Sequence, residues 1–168
     1  MSFKDQPFHT RFTKLGEEAE GIFDEHYPKL HDPFGHNRPR SNMSLWPPFI
    51  RYKPDRISHD RLIEIQGCGR GRKWAFKLEK VTALTEWNEH LPVWWFLWDN
   101  VDRRWAFLHH NWVKDRVIAE IDAGRVDNFP DNGKPYVNIG VAAVDVTAWT
   151  YLPGTGGDHE APPDATAT

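Results

Sequence analysis

Two short stretches decide how this chain reads: Arg51-Tyr52-Lys53-Pro54-Asp55 and, beginning nine residues past Asp55, Glu64-Ile65-Gln66-Gly67. Each sets a carboxylate at the end of a short apolar run, and a polar side chain lies two residues beyond the second. Residues i and i+2 of a strand share a face, so Glu64 and Gln66 point one way while Ile65 points into the opposite layer. Asp55 stands just before the turn that leads into this strand and is expected to meet Glu64 across a hairpin. Two carboxylates and a polar neighbour on one rim suit Mg²⁺, a hard cation held by carboxylate, water and phosphate oxygens.

Working outward, residues 1–11 read as a polar arm and residues 13–30 as a helix with Leu15, Ala19, Ile22 and Phe23 at helical spacing. Five prolines and glycines among 31–48 make an irregular connection that carries His31, His36, Arg38 and Arg40. Residues 49–52 read as a strand into Pro54-Asp55, His59-Asp60 as a turn, and 61–66 as the next strand. Residues 74–89 read as a helix, 92–98 and 104–108 as a strongly apolar hairpin, and 111–123 as a last helix ended by Gly124. Asp131-Asn132-Gly133-Lys134 marks a turn before a strand at 136–139, and 141–149 reads as extended. The order predicts an α/β fold, a central mixed sheet flanked by helices. Residues 1–152 are expected to form one domain, with 153–168, rich in Gly, Pro, Asp, Ala and Thr, a disordered tail.

The bulk numbers set limits. A chain of 168 residues with 39% apolar and 27% charged side chains can bury a core and reads as globular. It has no apolar run long enough to span a bilayer and no apolar leader segment, so a cytoplasmic location without membrane attachment is expected. Cys68 is the single cysteine, which rules out an internal disulfide. A net charge of −3 argues against indiscriminate electrostatic DNA binding. A local basic stripe beside an acidic site remains compatible with it. Nine tryptophans are expected mainly to fill the two faces of the sheet, with one or two as candidates for stacking on unpaired bases.

The pattern Pro54-Asp55 followed by Glu64-Ile65-Gln66 resembles the PD-(D/E)XK nuclease superfamily, in which Pro-Asp at a strand end precedes an acidic residue, any residue and Lys in the next strand. Gly16-Glu17-Glu18-Ala19-Glu20 is similar to the helical Glu element of many members. The run from Glu64 to Arg70, with Phe96-Leu97-Trp98-Asp99, is similar to small phage proteins of the superfamily. The resemblance covers residues 12–108. It implies a restriction-endonuclease-like core and Mg²⁺-dependent hydrolysis of DNA, with Mn²⁺ able to substitute. Asp55 is then the principal metal ligand, joined by Glu64, the carbonyl of Ile65, and Glu20 from the first helix. Gln66 stands where Lys is usual; it can orient a water but brings no charge. Lys77 is the candidate for a lysine migrated to the following helix, with Lys73 and Lys80 behind it.

The loop Gly67-Cys68-Gly69-Arg70-Gly71-Arg72-Lys73 lacks the Walker pattern, and Arg70, Arg72 and Lys73 are expected to grip a DNA backbone. Cys68 reads as a small residue beside a turn, and His59, His109 and His110 as surface residues or neighbours of the site. Each key residue also has a plain role available: Asp55 as a turn residue, Glu64 at a sheet edge, Glu20 on a solvated helix face. The expected function is an endonuclease for branched, damaged or structured DNA, of the recombination or repair kind. The expected setting is the cytoplasm, that of the host if the chain is phage-encoded, and a homodimer would let two active sites cut two strands. The alternatives are a DNA-binding accessory protein that kept the fold without the activity, and a protein-interaction module.

Overall fold

Leu62-Ile63-Glu64-Ile65-Gln66-Gly67-Cys68 is the strand around which the rest is arranged. A computed structural model describes residues 8–28, 31–35 and 43–153. Residues 1–7 of the expected terminal arm, residues 154–168 of the expected tail, and His36, Arg38 and Arg40 lie outside the described residues. Residues 8–11 belong to a helix rather than to a loose arm, and of residues 8–13 only the backbone is described. In chain order the elements begin with α1 (Phe8–His26), β1 (Asp32–Pro33), a 3-10 turn (Met43–Leu45), α2 (Pro48–Arg51), β2 (Arg56–Ile57) and β3 (Leu62–Cys68). They continue with β4 (Lys73–Lys77), α3 (Leu78–Asn88), β5 (Val93–Asp99), β6 (Arg104–His109) and α4 (His110–Asp122). The last are β7 (Asp127–Asn128), β8 (Pro135–Gly140) and β9 (Trp149–Tyr151).

Six strands form the main sheet in the order β1-β2-β3-β5-β6-β9, and β4-β8-β7 form a second sheet of three. β3 runs parallel to β5 with Glu64 opposite Trp95, and the other main-sheet pairs are antiparallel. The fold is thus mixed α/β, a central mixed sheet flanked by helices. The parallel pair needs a crossover, and β4 with α3 supplies it. β5 lies between two neighbours with both faces covered, which is why Val-Trp-Trp-Phe-Leu-Trp is apolar without alternation.

Period-two alternation divides the core. Ile63, Ile65, Phe96, Trp98 and Trp105 face Ala19 and Phe23 of α1. Leu62, Cys68, Trp95, Leu97 and Ala106 face the other way, onto Trp74 and Phe76 of β4, Leu84 of α3 and Val113 of α4. Five tryptophans (Trp74, Trp95, Trp98, Trp105 and Trp149) are buried, in keeping with their expected packing role. Gly67 lets α1 approach β3: a Cβ there would lie 2.6 Å from the backbone oxygen of Leu15. Gly67→Ala is therefore expected to destabilise the protein by about 1–3 kcal/mol, read as a lowered urea midpoint at unchanged slope.

Three expectations are corrected. Residues 49–52 are not a strand: Pro47-Pro48 opens the short helix α2, with proline in its first turn where the missing N–H costs nothing. Residues 74–77 are strand, not helix. Trp74 and Phe76 alternate with Lys73, Ala75 and Lys77, and they pair with Ile139 and Val137 of β8, a partner far along the chain. Residues 141–148 carry two 3-10 turns rather than extended chain, and only Trp149 is extended, as the start of β9. The second turn is capped by Asp145, whose side chain accepts from the Thr147 N–H at 2.8 Å. The hairpin over 92–108, the helix α4 and the strand β8 stand close to where the sequence put them.

Candidate active site

The turn between β2 and β3 fixes where Asp55 lies. Ser58 N–H donates to the Arg61 carbonyl at 2.9 Å, and Asp60 accepts from the Ser58 hydroxyl at 2.9 Å and from Arg61 at 2.7 Å. The Arg61 guanidinium, followed by that hydroxyl, holds the Asp60 carboxyl well below the usual carboxylate range. Arg56 then falls opposite Ile63, which sets Asp55 beside Glu64 and Ile65. The Ile65 amide donates to Oδ2 of Asp55 at 2.8 Å, and the Asp55 carbonyl accepts from the amides of Phe34 at 3.0 Å and Gly35 at 3.3 Å.

Glu64 is completely buried on the face toward α3. Its Oε1 accepts from Nζ of Lys80, in the first turn of α3, while its Oε2 is buried with no hydrogen-bond partner. Burial, and after it the charge of Asp55, push the Glu64 carboxyl up to about 8 against the pull of Lys80. Burial alone would lower Lys80, but the charges of Glu64 and Asp55 outweigh it and raise the ammonium's proton affinity. Two carboxylates and one ammonium thus meet in a place largely removed from water, where their interactions are strong.

Asp55 also opens toward solvent. A cleft of about 390 Å³ runs from it along α1 and is lined by Glu17, Glu20, Asp24 and Arg56. The buried Arg56 guanidinium donates to Glu20 at 3.0 Å and to Asp24 at 2.9 Å. On the α3 side, Lys134 and Arg51 each reach Glu79 at 2.9 Å and the Tyr52 hydroxyl donates to it at 3.0 Å. The site therefore sits between an acidic cleft and a cluster of cations.

The sequence-derived site residues separate accordingly. Asp55 and Glu64 come together as read. Ile65 contributes its amide to Asp55. Gln66 shares the face of Glu64, yet its side-chain amide donates to the Ala75 carbonyl of β4 at 3.1 Å and ties the two sheets. Glu20 turns to Arg56 rather than joining the carboxylate pair. Lys77 is the last residue of β4, and its Nζ lies 5.3 Å from the centroid of the Phe129 ring. Burial, then the charges of Lys80 and Lys134, lower its proton affinity. Lys80, not Lys77, is the lysine that reaches Glu64.

The expected DNA-gripping loop follows the far end of β3, with roughly 13 Å of strand between Glu64 and Cys68 at about 3.3 Å per residue. Arg70 and Lys73 are exposed there, but Arg72 is held by Asp99 at 2.9 Å and by Asp102. Cys68 is buried, and burial pushes its thiol up to about 12, an inert group. His110 is a core residue rather than a surface one. It lies between the Trp95 indole N–H at 3.0 Å and the Thr85 hydroxyl at 2.9 Å, and burial lowers it to about 4. Lys80, Arg56 and Tyr52 are the members the sequence reading ranked low or passed over. The signal for Lys80 was its place two residues into α3, obscured when that helix was begun at Trp74.

Among the described residues no three His, Cys, Asp or Glu side chains gather as a metal cage. The pair Asp55–Glu64, with the unpartnered Oε2 of Glu64, instead fits Mg²⁺. That ion keeps several waters and is held by one or two carboxylates plus substrate phosphates. The described residues contain no helix long and apolar enough to cross a membrane.

No protein-family model matches the chain, and no curated protein matches it. Among solved structures, the chain is similar to Hjc of Archaeoglobus fulgidus, a Holliday junction resolvase from an archaeal hyperthermophile. That match has 11% identity and a TM-score of 0.38, and it covers 74% of this chain and 88% of that one.

Proposed function

We propose that the protein is a Mg²⁺-dependent DNA endonuclease of the PD-(D/E)XK kind, acting on branched or otherwise structured DNA. One observation carries the reading: the β2–β3 hairpin brings Asp55 against the buried Glu64, and α3 delivers Lys80 to the same point. Two carboxylates and a lysine at one spot, open to solvent through Asp55, are the donor set phosphodiester hydrolysis needs.

Asp55 and Glu64 would hold the metal, with Asp55 fixed in direction by the Ile65 amide. Bound there, Mg²⁺ would neutralise charge on the phosphate and make its water a better nucleophile. Lys80 supplies the positive charge that Gln66 lacks. Its ammonium lies within reach of Glu64 and next to Asp55, so it can contact a phosphate oxygen or orient water beside them. Lys77, Lys80 and Lys134 gather around Tyr52 and Glu79, a set of cations suited to the backbone that flanks a scissile bond. Assembly as a homodimer, which would let two sites cut two strands, belongs to the same proposal.

The test is incubation of the purified protein with labelled single strands, duplexes, flaps and four-way junctions in Mg²⁺, Mn²⁺ or EDTA. Cutting that requires the metal and disappears in Asp55→Ala is expected. Binding without cutting in any metal, unchanged in Asp55→Ala, would mean an accessory DNA-binding protein instead.

A further inference from the structure

A second cavity, of about 500 Å³, lies on the α1 face of the main sheet beside the acidic cleft. Phe23, Tyr27, Phe107, His31, His59 and Arg61 are among the residues that line it. The rings make a continuous aromatic surface. Phe23 stacks on Tyr27 at 5.1 Å, Tyr27 lies 5.9 Å from Phe107, and Phe107 lies 5.7 Å from Trp94. Arg61 sits 5.7 Å over the Trp94 ring. Both ring nitrogens of His31 are buried with no hydrogen-bond partner, and its ring lies 4.4 Å from Phe23. Those nitrogens are enclosed by protein, so the polar groups that the cavity offers a ligand are those of Ser58, His59, Asp60 and Arg61.

Position narrows what that ligand is. Successive turns of α1 present Glu20 and Asp24 to the acidic cleft and Phe23 and Tyr27 to this cavity. Arg56 of the cleft is the register partner of Ile63, which also lines the cavity. Only a strand rung separates them, a distance on the order of 5–8 Å and comparable to one nucleotide. A flat ring with hydrogen-bonding edges, arriving next to a held phosphate, is a nucleobase.

We propose that this cavity receives one unpaired base of the nucleic-acid strand whose phosphate lies at Asp55, an inference that rests on the nuclease reading above. Tyr27 and Phe107 stack on the base, a contact that tolerates any base because each has a π face. Ser58, His59 and Asp60 line the same cavity for the base's polar edge, and Arg61 meets the adjoining phosphate. Extruding an already unpaired base is the least expensive case, so the cavity selects mismatched, bulged or branched DNA over perfect duplex.

The experiment is fluorescence anisotropy in EDTA with three labelled duplexes: fully paired, carrying a one-nucleotide bulge, and carrying the same bulge as an abasic residue. The bulged duplex is expected to bind about tenfold more tightly than the paired one, with the abasic bulge no better than paired. Tyr27→Leu and Phe107→Leu, checked for an unchanged melting temperature, should each remove most of that preference. Equal binding of all three duplexes, or a preference that survives both pocket variants, overturns the proposal. Cutting in Mg²⁺ with no base preference overturns the pocket and leaves the nuclease reading intact. A base preference without cutting in any metal keeps the pocket and overturns that reading.

Discussion

Lys80→Ala is expected to slow metal-dependent DNA cutting at least about 100-fold, while Lys77→Ala leaves the rate within about threefold. The size follows from what is removed: a preorganised charge in a site poor in water, where losing one such group commonly costs two to three powers of ten. Lys80 touches Glu64 and feels Asp55, whereas Lys77 ends β4 over the Phe129 ring and touches neither carboxylate. A purely structural Lys80 would predict a different pattern. Because its ammonium competes with a divalent cation for Glu64, its removal should lower the Mg²⁺ concentration for half-maximal rate even as the maximal rate collapses. That split, measured by titrating Mg²⁺ at saturating DNA, separates a catalytic charge from a packing residue. If Lys77→Ala is the variant that loses activity and Lys80→Ala is spared, the lysine assignment is wrong.

How this lysine was ranked shows what a single sequence can carry. Asp55 and Glu64 were legible because a hairpin with a short turn is a local object: register and side-chain face follow from period two and from the turn residues. The apolar strand Val93–Asp99 and the helix α4 were legible from composition and spacing. The partner of β4 was not. Trp74, Phe76, Leu78, Val81 and Leu84 match a helical stripe as well as they match a strand followed by a helix. The choice is made by Val137 and Ile139 of β8, which no local pattern announces. Beginning the helix four residues early rotated its faces, promoted Lys77 and left Lys80 in second place. Gln66 was read as a weakened catalytic group, but the Ala75 carbonyl it binds exists at that place only once β4 is a strand. Arg56 was overlooked for a similar reason, since its buried pairing with Glu20 and Asp24 joins α1 to β2 across the fold.

Glu64→Gln should abolish cutting and, more tellingly, change how stability depends on pH. Folding raises the Glu64 carboxyl from 4.5 to about 8, through burial first and Asp55 second. Between those values the folded state holds a proton that the unfolded state has released, so stability falls as pH rises through this window and levels off above it. Each tenfold gain in proton affinity corresponds to about 1.4 kcal/mol, so the fall amounts to a few kcal/mol, moderated by Lys80. In Glu64→Gln that part of the slope is gone, which chemical denaturation at pH 5 and pH 8 measures directly. Lys80 loses its partner in the same variant, so its absolute stability is lower at both pH values and the slope is the quantity to read. Mg²⁺ prefers the ionised carboxylates. Its addition should therefore raise the wild-type melting temperature more at pH 8 than at pH 5, with release of a proton on binding at neutral pH. Glu64→Gln and Asp55→Ala should lose most of that increment. A wild type whose stability is flat between pH 5 and pH 8 and indifferent to Mg²⁺ would show that Glu64 is an ordinary buried ion pair with Lys80, and the metal assignment would fall with it.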